Sequence, residues 1–133
     1  MTKLITIGGA PGVGKSTVAK ILLNQMDNSV WLDGDDLWRM HPFVVDSIKE
    51  EMVEKNIQYV LQSFLETGFS FIIFSWVLHD NSIVKRILST LGKFTFDLRL
   101  FTLLCDEDTL KSRITLDSSR TTDTELAIKR LKQ

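Results

Sequence analysis

The sequence predicts a single α/β domain of three layers, with helices on both faces of a parallel sheet of about four strands. Three observations carry this. Short apolar runs of β type alternate with segments of helical period along all 133 residues, the pattern of parallel strands joined by crossover helices. One run, residues 69–76, is nearly all apolar, as a central strand covered on both faces requires. Residues 9–16 read GAPGVGKS, a glycine loop between an apolar β run and a helical stretch.

Taken in order, residues 3–7 form the first strand, and Val18, Ile21, Leu22 and Met26 mark a helix over 15–26. Val30, Trp31 and Leu32 make a short second strand that runs into the acidic turn Asp33-Gly34-Asp35-Asp36. From about Pro42 to Thr67 the apolar positions Val45, Ile48, Met52, Val53, Ile57, Val60 and Phe64 predict a long helix, which Gly68 ends. The third strand is 69–76. A helix over 81–91 follows, with Gly92 as its stop. Alternation at Phe96, Leu98 and Leu100 becomes a continuous apolar run to Cys105, the fourth strand. Asp106, Glu107 and Asp108 place favourable charge at the start of a helix reaching about Leu116. A polar stretch, 117–123, then leads to a final basic helix over 124–132.

The glycine loop matches G-x-x-x-x-G-K-[ST], and each residue type has a physical reason. Gly9, Gly12 and Gly14 lack a Cβ, so the main chain can take left-handed angles and approach a polyphosphate closely. Successive N–H groups of Gly12, Val13, Gly14, Lys15, Ser16 and Thr17 then turn inward, and the helix adds its positive dipole end. Lys15 is expected to reach the β- and γ-phosphates of ATP, and Ser16 to offer its hydroxyl to Mg²⁺. Pro11 has no N–H to donate and shapes the loop only. An ordinary glycine-rich turn has no need of Lys15-Ser16 at that offset.

Apolar residues at 44% and charged ones at 25% are ordinary for a globular chain. A net charge of −1 gives no support for a surface-wide nucleic-acid footprint. The lone Cys105 excludes a disulfide framework, so a reducing, cytoplasmic location is expected. It reads as a buried small hydrophobe, with a reactive thiol as the alternative. No segment resembles a targeting peptide, and the longest apolar stretch is about half of what a membrane crossing needs. Two histidines and one cysteine offer no zinc spacing.

Three carboxylates in four positions follow the second strand, at the sheet edge where ligands of open α/β folds sit. Phosphoryl transfer needs a carboxylate there to accept the proton of an attacking hydroxyl, and one that holds magnesium through water is useful. The competing reading is a solvated turn in which Asp35 or Asp36 caps the next helix.

Loop and turn together resemble the small P-loop kinases of the nucleoside-monophosphate-kinase-like superfamily. LDGDDLWR is similar to the LDGD turn of adenylylsulfate kinases and to the acidic-pair-then-arginine turn of polynucleotide kinases. Asp35 with His41-Pro42 also resembles the zeta-toxin family of sugar-nucleotide kinases. The resemblance implies strand order 2-3-1-4 and makes Asp35 the base or hydroxyl-orienting group; Arg39 matches an acceptor-side arginine approximately. It also implies a lid at about 113–122, between two helices after strand four, whose arginines, here Arg113 and Arg120, fold over the transferred phosphate. From Lys111 to Gln133 six basic residues face three acidic ones; a plain solvated basic face is the rival.

The chain departs from the pattern in two places. The fifth strand usual in these kinases has no counterpart before Gln133. Strand three ends Phe74-Ser75-Trp76, without an aspartate in the Walker-B position, which leaves magnesium to Ser16, phosphates, water and Asp33 or Asp35. Ser75 could bind such a water or simply close the core edge. Asp36, Arg39, His41 and His79 are acceptor-site candidates, although His41-Pro42 could merely start the long helix and His79-Asp80 merely cap the next one. Trp38, Phe43 and Trp76 wall a pocket or belong to the core. These residues predict a kinase acting on a small-molecule hydroxyl or phosphate. The rivals are a nucleotide-binding protein without turnover and an NTPase switch, against which the missing Walker-B aspartate argues.

Overall fold

The computed structural model of the chain describes residues 1–10, 12–77 and 81–103. Pro11, His79, Asp80, Cys105, the helices expected at 106–116 and 124–132, and the lid with Arg113 and Arg120 lie outside them.

Four strands, β1 (Thr2–Gly9), β2 (Ser29–Asp33), β3 (Phe71–Ser75) and β4 (Phe96–Leu103), form one sheet of order β2-β3-β1-β4. Every pairing is parallel, as the alternation of strands and helices predicts. Helix α1 (Lys15–Gln25) follows β1, α2 (Ser47–Thr67) lies between β2 and β3, and α3 (Asn81–Ser89) lies between β3 and β4. A short 3-10 helix, Gly34–Trp38, continues directly from β2.

The period-2 alternation of the central strands sorts their side chains into two cores. Ile5, Ile7 and Ile73 meet Val18, Ala19 and Leu22 of α1 on one face. Leu4, Ile72 and Phe74 meet Val53, Ile57 and Leu61 of α2, with Ile87 from α3, on the other. Leu4, Ile7, Ile72 and Ile73 are fully buried, which explains why β3 reads as a nearly continuous apolar run and why residues 4–7 of β1 are apolar apart from the buried Thr6.

Helix α2 starts at Ser47, five residues after the expected Pro42. Asp46 supplies the reason. Its carboxylate accepts from the Lys49 main-chain N–H at 2.8 Å, an N-cap that satisfies one of the helix's free donors. Phe43, Val44 and Val45 before it are exposed and non-helical, consistent with the low helix propensity of β-branched and aromatic residues. Gly68, with φ 88°, closes the helix as expected. Strand β3 begins at Phe71, two residues late, and Phe69 before it packs edge-on against Phe64 of α2 with ring centroids 5.9 Å apart.

At the amino ends of the strands, Asn28 takes a left-handed conformation with φ 55°, which asparagine tolerates better than most residues. Its carbonyl accepts from the N–H groups of Ser70 (2.9 Å) and Phe71 (3.3 Å). Its side-chain amide donates to Ser70 Oγ at 3.0 Å. This clasp fixes where β2 and β3 begin relative to each other, Ser29 opposite Phe71 and Asp33 opposite Ser75.

Candidate active site at the carboxyl ends of the strands

The glycine loop spans the step from β1 to α1. Gly9, Gly12 and Gly14 have φ of 147°, 80° and 105°, angles that L side chains rarely adopt. A Cβ on Gly9 would also stand 2.9 Å from Val13 Cγ1 and 3.0 Å from the Leu103 carbonyl oxygen. Helix α1 begins after Gly14 with no side chain among the described residues capping it, so its first N–H groups remain directed at whatever occupies the loop. Lys15, 8% exposed, donates to the carbonyls of Gly9 and Ala10, both at 2.9 Å. Burial lowers its pKa, while the neighbouring Asp35 and Asp33 carboxylates work against that shift.

Asp33 joins this loop to the acidic turn. One carboxylate oxygen accepts from Ser16 Oγ at 3.2 Å, and the other caps the 3-10 helix by accepting from the Asp35 N–H at 3.0 Å. The 3-10 helix is thus capped by Asp33, and the long helix α2 by Asp46, not by Asp35 or Asp36. A serine hydroxyl beside a carboxylate is an all-oxygen set of the kind a hard divalent cation takes. Ser75, opposite Asp33 in the register, is buried and accepts from the Trp31 indole N–H at 2.9 Å. It is a core-edge residue.

Asp35 is solvent-accessible, yet its pKa is raised, first by partial burial, then by the nearby Asp33 carboxylate. Lys15 and a hydrogen bond from the Trp76 side chain pull the other way. Trp76 owes its position to Gly34, where a Cβ would meet the indole at 2.6 Å (Cγ) and 2.7 Å (Cδ1). The glycine of the LDGD turn is thus a steric requirement of a tryptophan just past the end of β3.

Beside Asp35 lies a cavity of about 670 Å³. Trp38, Phe43 and Trp76 do wall it, joined by Val45 and Ile83, with Trp38 and Phe43 in edge-to-face contact at 5.9 Å. Arg39 reaches the lining, but its guanidinium pairs with Asp36 at 2.9 Å. Asp36 and His41 are exposed and do not line this cavity. Sequence reasoning missed Glu50, Glu54 and Arg86 in the wall. Arg86 of α3 pairs with Glu54 of α2 at 2.7 Å. The spacing of Glu50 and Glu54 by one helical turn was visible, but nothing in the sequence pairs residue 54 with residue 86.

A parallel sheet of order 2-3-1-4, a glycine loop opening α1 and an acidic turn after β2 define a small P-loop kinase-like fold. The chain belongs to the family described as AAA domain (AAA_18), which matches residues 5–130. Among solved structures it is similar to a chain of the Pnkp1/Rnl/Hen1 complex, at 21% identity and TM-score 0.74, covering 91% of this chain and 42% of that one. It is also similar to the tunicamycin resistance protein of Deinococcus radiodurans (20% identity, TM-score 0.68, covering 99% and 79%). A gluconokinase from Sinorhizobium meliloti 1021 aligns at 15% identity and TM-score 0.65, covering 98% and 73%. The chain spans less than half the length of the Pnkp1 complex chains it resembles, 42% and 44%. No curated protein sequence matches it. No described helix is long and apolar enough to cross a membrane.

Proposed function

We propose that the protein is an ATP-dependent phosphotransferase, a kinase that moves the γ-phosphoryl group of Mg-ATP to a hydroxyl or phosphate of a small molecule, and that it works in the cytoplasm. One observation carries this reading: Asp35 lines the cavity and also lies within electrostatic reach of Lys15 in the glycine loop. A base that faces both a phosphate cradle and an acceptor-sized cavity is what direct transfer requires.

In this reading the main chain of residues 12–17 and Lys15 hold the phosphates. Ser16 and Asp33 hold magnesium, which when bound neutralises charge on the phosphate oxygens. Asp35 orients the acceptor hydroxyl and takes its proton, and a raised pKa makes it a better base than an ordinary aspartate. The gluconokinase among the similar folds supports the same reaction class.

The test is ATP-dependent product formation across a panel of small-molecule acceptors. Asp35→Asn should keep nucleotide affinity and lower transfer by about a hundredfold or more, the scale of general-base assistance. Asp36→Asn, whose carboxylate is occupied by Arg39, should do much less. Nucleotide binding without product from any acceptor would favour a binding protein instead. Full activity in Asp35→Asn would mean that another group is the base.

A further inference from the structure

The charges around the cavity restrict what can enter it. The described lining holds three carboxylates, Asp35, Glu50 and Glu54, and two cations, Arg39 and Arg86. Both cations are already engaged by carboxylates, Arg39 by Asp36 at 2.9 Å and Arg86 by Glu54 at 2.7 Å. An entering phosphate or carboxylate would have to share a guanidinium whose charge a carboxylate already offsets, and would still face Asp35 and Glu50. The remaining walls are aromatic and aliphatic: Trp38, Phe43, Val45, Trp76 and Ile83. Burying an anion against such surface without a free cation is costly, whereas stacking an aromatic or alkyl body there is favourable.

Resting on the phosphotransferase reading of this site, we infer that the acceptor is an uncharged or cationic hydroxyl compound with an aromatic or alkyl body, and not one carrying phosphate or carboxylate. The apolar body lies against Trp38 and Phe43, and the hydroxyl faces Asp35. The hydroxyl oxygen bonds to the γ-phosphorus and the bond from that phosphorus to the β–γ bridging oxygen breaks. The hydroxyl proton passes to Asp35, and ADP leaves with the electron pair. Glu50, on the first turn of α2, selects against negative charge and attracts an amine.

Charge alone can be varied on one scaffold. An aryl glucoside, the matching aryl glucuronide and the matching aryl glucosaminide share size and ring but are neutral, anionic and cationic. Binding to the protein with Mg-ADP is read by tryptophan fluorescence, because Trp38 and Trp76 form the wall. The glucoside and glucosaminide should bind at least about tenfold tighter than the glucuronide, as expected from one uncompensated like-charge contact. Glu50→Lys should reverse that order, with Glu50→Gln intermediate. A 5′-hydroxyl oligoribonucleotide, anionic along its length, should bind no better than the glucuronide. Equal or tighter binding of the glucuronide or the oligonucleotide to the wild type, or binding of none of the four, would overturn the inference. Discrimination by charge without phosphorylated product, from these or any other acceptor, would leave the ligand class standing and remove the phosphotransferase reading.

Discussion

The glycine loop and the cavity beside it lie at the same end of the sheet but are built by opposite means. The loop works through main chain. Its geometry rests on three glycines at positive φ and a helix start that no described side chain caps, all within one short stretch. The cavity works through side chains drawn from the turn after β2, the extended segment before α2, α2 itself, the segment just after β3, and α3. A main-chain site constrains the identity of a few neighbouring residues strictly. A side-chain site spreads its constraint over distant positions, each replaceable if its neighbours adjust.

Gly34 is the point where the two styles meet, and changing it should have the largest effect. Gly34→Ala drives a Cβ into the Trp76 indole. It should destabilise the protein by about 2–3 kcal/mol, the upper part of the overpacking range, while also displacing Asp35 and collapsing the cavity. Denaturant unfolding measures the first effect and loss of acceptor binding the second. A double variant Gly34→Ala/Trp76→Ala should recover much of the stability without recovering the binding.

Next comes Lys15→Ala, which should weaken Mg-ATP binding by about 2 kcal/mol, the scale of a charged hydrogen-bonding partner. Calorimetry should find acceptor-side binding almost unchanged. If acceptor and nucleotide affinity fall together, the loop and the cavity are a single coupled site and the contrast drawn above is wrong.

A smaller effect concerns stability and pH. Asp35 titrates above its unfolded value, so its ionised form is disfavoured in the folded protein. Above the folded pKa the wild type therefore carries a penalty that is lost as pH falls through that value. Asp35→Asn should melt higher than wild type near neutral pH, with the difference shrinking as pH falls. In the proposed phosphotransferase the same substitution would remove the base, so gain of stability and loss of activity would appear together, a trade-off expected at functional sites.

Smallest is Asp46→Ala. The Asp46 carboxylate is held below its ordinary pKa mainly by the Lys49 N–H. That stabilisation is present above the unfolded pKa and lost as pH falls through the lower folded one. Melting curves should show a modest decrease near neutral pH that disappears in acid, with nucleotide affinity untouched.

This contrast also explains what was legible from residues alone. Strand β1, the loop and α1 could be read because their determinants are contiguous: an apolar run, glycines at fixed offsets, then helical spacing. The strand order 2-3-1-4 followed from a resemblance carried by those same residues. The start of α2 was misjudged because Val45 falls on the helical apolar pattern while Asp46, one residue later, caps the helix. The Arg86–Glu54 pair and the contact of Trp76 on Gly34 depend on tertiary packing, which no local spacing encodes. Trp31 bonding Ser75 across two strands is of the same kind.

The Asn28 clasp has a consequence for how such a chain can diverge. It fastens β2 to β3 at the end of the sheet remote from the chemistry. Strand alignment is thereby secured without help from the segment between the 3-10 helix and α2. Residues 39–46 make no strand or helix of their own and can be exchanged, lengthened or shortened without shifting Asp33 from its place beside Ser16. Anchorage at one pole leaves the other open to variation: if the proposed function holds, descendants of this chain can change what they act on while keeping the glycine loop intact.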